Sequence, residues 1–276
     1  IVIAYSDANV AGKGRAIVGT VSGTSISFGT AVQFEAGNTA NTKMAYDTNA
    51  QRVVIAYRDT GNSGHGTAIV GTVSGTSISF GTAVVFESAS TRELDIAYDA
   101  NATKVLIAYR DGDNSNYGTG IVGTVSGTSI SFGSAVVFES ATTQYVSAGY
   151  DSDAQKVVIS YRDGGNSDYG TSIVATVSGT SVSFGTSAVF ESAQIGAGET
   201  ATVYDTNAQK TLVAYQDNGN SGYGTAVFGT VSGTSISFDT PIVFESGSAT
   251  YIRAAYDSSA NRAVISYRDE GNSNYG

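Results

Sequence analysis

The sequence contains no cysteine and no tryptophan, and it has a single proline, a single histidine and a single methionine. Without cysteine, no disulfide framework and no thiolate metal site can form. One histidine offers neither a second histidine nor a cysteine for a zinc site or a nucleophile–base pair. The composition therefore predicts no catalytic residue, no metal and no cofactor.

Basic residues are also scarce. Fourteen Lys and Arg stand against 24 Asp and Glu, which gives a formal net charge of −10. An acidic surface argues against binding to nucleic acid or to an anionic membrane, because both require a basic footprint. No apolar run approaches the ~18 residues of a membrane-spanning helix. The first residues lack Met and look like a strand rather than a signal peptide, so we interpret the chain as processed or excised.

What the sequence does contain is a tandem repeat. The word VSGTS begins at Val21, Val73, Val125, Val177 and Val231, so the period is 52 residues with one step of 54. A fixed period of this size decides the architecture before any single motif does. Because the repeat covers nearly the whole chain, we predict one domain spanning residues 1–276.

One period predicts four strands and no helix. In one copy, strands are expected at 94–98, 104–110, 120–126 and 129–139, with Gly133 as a bulge in the last. The second strand is a continuous apolar run, as expected of a strand buried on both faces. The fourth alternates, with Ile130 and Phe132 on one side and serines on the other.

Four antiparallel strands in each repeat predict an all-β fold, a β-propeller of five four-stranded blades. A β-solenoid is the second choice, but the tight SGTS turn favours a hairpin. Six or more blades, with the chain a fragment of a longer array, is a further alternative. The second strand occurs six times and the others five times, so residues 1–5 and 263–267 compete for one place in a five-bladed ring. The displaced strand could support self-association.

The phrase SGTSISFG, followed by an apolar outer strand, resembles the blade of sialidase-type Asp-box propellers, whose box reads S-x-D-x-G-x-T-W. Ser74, Ser79 and Phe80 stand at comparable places. The Asp and the Trp of the box are absent and the turn is one residue shorter, so the resemblance supports the fold and implies no catalysis. The repeats are also similar to repetitive propeller repeats in tail-fibre and surface proteins of aquatic phages and bacteria. That similarity implies an extracellular or virion-surface location.

Variation between the copies concentrates before and within the first strand. Counting back from the tyrosine of AYD, the fifth residue is Asn41, Glu93, Tyr145, Glu199 or Tyr251, and the third is Lys43, Asp95, Ser147, Ala201 or Arg253. These positions should share a face with the loops between the second and third strands. We predict ligand-binding roles for Asn41, Lys43, Glu93, Asp95, Tyr145, Glu199, Tyr251 and Arg253. Neutral drift at solvent-facing positions is the competing interpretation.

The loop between the second and third strands ends on an aromatic residue followed by glycine: His65, Tyr117, Tyr169, Tyr223 and Tyr275. Aromatic rings beside Asn and Asp suit carbohydrate, so these residues join the predicted ligand site. Alternatively, each ring packs on the neighbouring blade. Arginines 58, 110, 162 and 268 either contact ligand or pair with a nearby Asp, and each following Asp caps its loop.

Taken together, the sequence predicts a non-enzymatic extracellular binding module that recognises a glycan or another surface receptor. The first alternative is a structural or assembly module of a phage or bacterial surface protein. The second is a glycosidase, which would need a pair of carboxylates such as Glu93 and Glu199.

Overall fold

The computed structural model describes residues 1–196, 200–273 and 275–276. Within these ranges the chain forms strands and contains no α-helix, as predicted; single 3₁₀ turns occur at Ala8–Val10, Thr60–Asn62 and Asn218–Asn220. The described residues contain no helix of the length and apolarity needed to cross a membrane.

The strands form antiparallel blades that we number 1 to 6, and within a blade we call them inner, second, third and outer. Blade 1 lacks an inner strand and contains β1 (Val2–Asp7), β2 (Lys13–Ser22), β3 (Ser25–Phe28) and the start of β4 (Val32–Asp47). Blade 2 contains the end of β4, β5 (Arg52–Asp59), β6 (His65–Ser74), β7 (Ser77–Phe80) and the start of β8 (Val84–Asp99). Blade 3 continues with the end of β8, β9 (Lys104–Asp111), β10 (Tyr117–Ser126), β11 (Ser129–Phe132) and the start of β12 (Val136–Asp151).

Blade 4 consists of the end of β12, β13 (Lys156–Asp163), β14 (Tyr169–Ser178), β15 (Ser181–Phe184) and β16 (Ala188–Gln194). Blade 5 consists of β17 (Ala201–Asp205), β18 (Lys210–Asp217), β19 (Tyr223–Ser232), β20 (Ser235–Phe238) and the start of β21 (Ile242–Asp257). Within the described residues, blade 6 consists of the end of β21 and β22 (Arg262–Asp269). The repeated four-stranded antiparallel blade is that of a β-propeller.

In β4, β8, β12 and β21 the outer strand of one blade and the inner strand of the next form one continuous strand, which the sequence did not predict. In β12, Val136 pairs with Gly120 of blade 3, whereas Asp151 pairs with Lys156 of blade 4. The predicted strand 94–98 is thus only the end of β8. The third strand also begins earlier than predicted, at Tyr117 instead of residue 120.

The predicted bulge at Gly133 is instead an interruption that separates β11 from β12. A Cβ atom at residue 133 would overlap the carbonyl oxygen of Thr180, in the tight turn of the following blade. Gly29, Gly81 and Gly185 occupy the same place in their blades and meet the equivalent threonine carbonyl. The glycine is therefore required by the close approach of two blades.

The second strands form the centre of the core, as their apolar runs predicted. The residues of β5 from Val53 to Tyr57 are at most 4% exposed, and the corresponding residues of β9 and β13 are also buried. The outer strand alternates as expected, with Ile130 buried and Ser129 and Ser131 exposed.

Each blade is joined to the next by an aromatic contact and a partly buried hydrogen bond. The rings of Phe86 in blade 2 and Tyr109 in blade 3 lie 5.4 Å apart between centroids. The Tyr109 hydroxyl donates to Glu87 Oε2 at 3.0 Å. Equivalent tyrosine–glutamate bonds join 57 to 35, 161 to 139, 215 to 191 and 267 to 245. Burial raises the pKa of the Tyr109 hydroxyl, and the Glu87 charge raises it further.

Both terminal copies of the second strand are accommodated, β1 against β2 and β22 against β21. The prediction that one of them would be displaced is therefore wrong for this structure. The described pairings form a 16-stranded sheet from β1 to β16 and a six-stranded sheet from β17 to β22, and none of them joins β1 to β22. The count of five blades stays a prediction.

Candidate functional site

The inner strands of blades 2, 3, 4 and 6 each begin through a β-bulge with one residue in the left-handed region. The φ angles are 50° at Asn41, 47° at Glu93, 53° at Tyr145 and 53° at Tyr251, and the strand register shifts at each place. A left-handed non-glycine residue costs ~1–2 kcal/mol, and such strain clusters at functional sites. The variable position five residues before the strand tyrosine is therefore also a position with a special backbone conformation. Glu199, the fifth member of the set, lies outside the described residues.

The bulges of successive blades surround a small recess of about 50 Å³. Four of the predicted ligand residues line it, from blades 2, 3 and 4: Asn41, Lys43, Glu93 and Tyr145. Leu94, Val146 and Thr200 complete the lining. Because this volume suits about one or two water molecules, a larger ligand would rest over the recess rather than inside it.

Hydrogen bonds connect the bulges of blades 3, 4 and 5. The Glu93 carboxylate accepts from the Tyr145 backbone N–H at 2.6 Å and from Arg110 at 3.0 Å. The Thr200 hydroxyl donates to the Tyr145 carbonyl oxygen. Thr200 was not singled out from the sequence, although it is polar where blades 3, 4 and 6 have Leu94, Val146 and Ile252.

Residues that stand three positions before the tyrosine of an inner strand lie close together around Asp95. Its carboxylate accepts the backbone N–H groups of Ile96 and Ala148, each at 3.0 Å, and lies 3.9 Å from the Lys43 ammonium. Burial lowers the pKa of the Arg253 guanidinium, while the negative charge of Asp95 acts in the opposite direction. Side chains of blades 2, 3 and 6 thus lie near Asp95, which also bridges blades 3 and 4 through its hydrogen bond from the Ala148 N–H. The ligand-binding role of these residues stays a prediction.

The loop aromatics lie on the same face, farther from the recess. His65, Tyr117, Tyr169 and Tyr223 each begin the third strand of their blade and are half-buried, and Tyr275 is 67% exposed. Tyr117 pairs with Thr142, immediately before the inner strand of the next blade. We call the surface that carries the bulges, the loop aromatics and the loops between second and third strands the bulge face. None of the loop aromatics lines the recess.

In blades 2 to 5 the glycine after the loop aromatic is required by packing against the outer strand. A Cβ atom on Gly118 would overlap the ring of Phe138, and Gly66, Gly170 and Gly224 meet the equivalent phenylalanine. The glycine makes room for the ring of the outer strand. It does not serve to turn the backbone at this place.

Each arginine of the second strand belongs to a group that we call an arginine station. The station contains the arginine, the bulge residue of the same blade and the residue six positions after the arginine. In blade 3, Arg110 donates to Glu93 at 3.0 Å and to Asn116 at 2.9 Å. In blade 4, Arg162 pairs with Asp168 at 2.5 Å and lies 5.9 Å from the Tyr145 ring centroid.

The expectation that every arginine pairs with an Asp is therefore wrong, since the partners are Glu93 for Arg110, Asp168 for Arg162 and Glu270 for Arg268. The expected capping by the following Asp is confirmed, because Asp111 Oδ1 accepts from the N–H groups of Asp113 and Asn114 at 3.3 and 3.2 Å. In the part of the chain that the structure describes, no three His, Cys, Asp or Glu residues are grouped to hold a metal ion.

Comparison with known proteins identifies the fold. The structure is similar to that of the BP39L lectin from Burkholderia pseudomallei, with a TM-score of 0.66 at 10% sequence identity, covering 94% of this chain and 75% of the lectin. It is also similar to a leech intramolecular trans-sialidase, with a TM-score of 0.51 at 13% identity, covering 74% of this chain and 33% of that enzyme. No protein-family model and no curated protein sequence matches the chain. At such identities the similarity supports the fold alone.

Proposed function

We propose that the protein is a non-enzymatic binding module that recognises a glycan through the bulge face. One observation carries this proposal. Asn41, Glu93 and Tyr145 differ in chemistry, yet occupy the same left-handed bulge position around one recess. A scaffold that holds different side chains in one strained geometry suits recognition, because the ligand contacts can vary while the blades stay the same.

The chemistry of the face favours a carbohydrate. The recess is shallow, and half-buried tyrosine rings stand beside amide, hydroxyl and charged groups. Rings offer flat apolar surface to a sugar, and the polar groups hydrogen-bond its hydroxyls. The Burkholderia neighbour is described as a lectin, so a related architecture serves sugar binding elsewhere. A glycan of a cell surface, met by an extracellular or virion-borne protein, is the partner we propose.

Binding without catalysis fits the carboxylates that the structure describes on this face. A glycosidase needs one carboxyl group that donates a proton and a second that acts as nucleophile or base. Both oxygens of Glu93 are hydrogen-bonded to protein groups, and both oxygens of Asp95 accept backbone N–H groups. These carboxylates support the bulges.

The experiment is a glycan array probed with the wild-type protein and with a Tyr117→Ala, Tyr169→Ala, Tyr223→Ala variant. We expect the triple variant to lose binding while its melting temperature changes little. Tyr46→Ala is the matched control, since Tyr46 is exposed at the opposite end of its inner strand. A large drop in melting temperature would show that the loop tyrosines pack between blades, and retained binding would remove them from the site.

An assembly role is favoured by a separate observation. On blade 1, Ile26 is 44% exposed, whereas Ile78 at the same place in blade 2 is 4% exposed because blade 1 packs against it. Phe28 and Val21 extend this apolar surface. Another blade of the same sequence type would bury it. Replacing both Ile26 and Phe28 by Ser should reduce any self-association measured by analytical ultracentrifugation, and unchanged association would exclude this edge.

A further inference from the structure

The station of blade 2 differs from the others in lacking partners. Arg58 has the place of Arg110, but Asn41 stands where blade 3 has Glu93, and Gly64 where it has Asn116. Both groups that bind the guanidinium in blade 3 are thus replaced. Within the described residues, Arg58 makes no side-chain hydrogen bond or ion pair, and its buried Nε–H has no acceptor.

A second polar group, next to the station in the sequence, is also unpaired. The Thr42 hydroxyl is buried without a hydrogen-bond partner. Thr42 and Asn41 form the bulge between the Ala40–Arg58 and Lys43–Ala56 pairs, so they lie directly beside Arg58 in the sheet. Leaving a buried polar group unpaired costs about 1–3 kcal/mol, more for a charged one, and a ligand that pairs both groups would recover this free energy.

Gly64 keeps the space beside the guanidinium free of a side chain. Its φ is +79°, and a Cβ atom there would lie 2.8 Å from Arg58 Nε and 3.0 Å from Nη2. Blade 4 fills the equivalent place with Asp168, which pairs with Arg162. In blade 2 this position is Gly64, which has no side-chain acceptor for the guanidinium. His65 begins the neighbouring strand, and Lys43 follows Thr42 in the sequence.

The charge of the whole chain restricts what can bind there. With a net charge of −10, the molecule repels polyanions over long range. A single oxyanion group on an otherwise neutral ligand avoids most of this repulsion. It can still form the two parallel hydrogen bonds that a guanidinium offers to a planar carboxylate.

We propose that the station of blade 2 binds one oxyanion, a carboxylate or a sulfate, carried by an otherwise neutral saccharide. Arg58 supplies the charge-assisted hydrogen bonds, the Thr42 hydroxyl supplies a further one, and His65 lies beside the sugar. The inference rests on the glycan-binding function and deepens it, because it names the chemical class of the ligand.

The test compares four probes by calorimetry: xylotriose carrying one glucuronate, its methyl ester, sulfated lactose and lactose. The ester keeps the sugar and removes the charge, and the lactose pair distinguishes sulfate from carboxylate. The proteins are wild type, Arg58→Gln and the control Arg262→Gln, which removes the same charge from the exposed first residue of β22, at the opposite end of that strand from the bulge face. The Arg58 Nε–H resonance in NMR reports contact directly.

We expect wild type to prefer one acidic probe to its neutral partner by at least about tenfold. Arg58→Gln should abolish this preference, Arg262→Gln should retain it, and the Arg58 resonance should shift. Equal binding of the acidic and neutral probes, or an unaffected Arg58→Gln variant, would overturn the inference while the glycan-binding function stands. No binding of any probe, no positive on the glycan array and no resonance shift would overturn both.

Discussion

The arginine station of blade 3 is closed by its own side chains, whereas that of blade 2 lacks both partners. The two stations have the same bulge, a left-handed residue at the same position and equivalent flanking strands. Glu93 and Asn116 hold Arg110 in blade 3, and Asn41 and Gly64 leave Arg58 without an acceptor. The comparison teaches that two side-chain changes on a constant backbone convert a structural ion pair into a vacant anion site.

Arg110→Gln should have the largest effect, because it removes one partner of a mostly buried pair. The side chains of Arg110 and Glu93 are 14% and 26% exposed, so we expect a loss of about 1–3 kcal/mol in the free energy of unfolding. Arg58→Gln should stay within about 0.5 kcal/mol, since no protein partner is lost. Urea denaturation of both variants measures the difference. Equal losses would show that Arg58 supports its blade and would break the comparison.

Asn41→Glu should convert the station of blade 2 into a copy of that of blade 3. The left-handed backbone already holds a glutamate at Glu93, so the new carboxylate can reach Arg58 without new strain. We expect a gain of up to about 1 kcal/mol in unfolding free energy, together with loss of any binding of the acidic saccharides.

Asn41→Gln is the matched control for that variant, since it has the same length and no charge. It should leave both stability and the preference for an acidic probe nearly unchanged. If Asn41→Glu binds these probes as well as the wild type does, the oxyanion does not occupy the station.

A smaller effect on stability is expected from the carboxylate of Asp99, which leads into the turn after the inner strand of blade 3. Its Oδ2 is buried without a hydrogen-bond partner. Burial raises the pKa of this carboxyl, while the N–H groups of Asn101 and Ala102 partly oppose the rise. Its stabilising contribution is therefore complete below the unfolded-state pKa of ~3.9 and is lost as the pH rises through the higher folded-state value.

Asp99→Asn should accordingly weaken the pH dependence of the melting temperature between acidic and neutral pH. It should also leave the protein at least as stable as the wild type at pH 7. An unchanged slope, or a clear loss of stability at neutral pH, would show that the charged form of Asp99 is needed in the turn.

The four-stranded blade could be predicted from the sequence because the spacing of apolar residues in each strand reflects which side chains are buried. The apolar run of β9 and the alternation of β11 follow from which sides of each strand are covered. The continuity of outer and inner strands through β8 was not predicted, because Ser, Thr and Arg in its middle look like a loop. Of the variable residues, Asn41, Lys43, Glu93 and Tyr145 line one recess, and the ligand-binding role predicted for the set stays a prediction.

The sequence could not predict which of these residues already form hydrogen bonds or ion pairs with other groups of the protein. The left-handed bulge at Glu93 carries no glycine to mark it, and its partner Arg110 lies 17 residues away. The meaning of Gly64 depends on a guanidinium that only the fold brings beside it. Pairing across a bulge is a tertiary property that single-sequence patterns do not encode.

The tyrosine–glutamate bond between blades has a consequence for how the molecule unfolds. Glu87 lies in the outer strand of blade 2 and Tyr109 in the second strand of blade 3, so the bond spans two blades at a separation of 22 residues. Because each such bond couples nearest neighbours, cooperativity should propagate along the array one interface at a time. Tyr109→Phe would leave Glu87 Oε2 without its donor and weaken a single coupling. Calorimetry should then resolve two unfolding transitions, one on each side of that interface, in place of one.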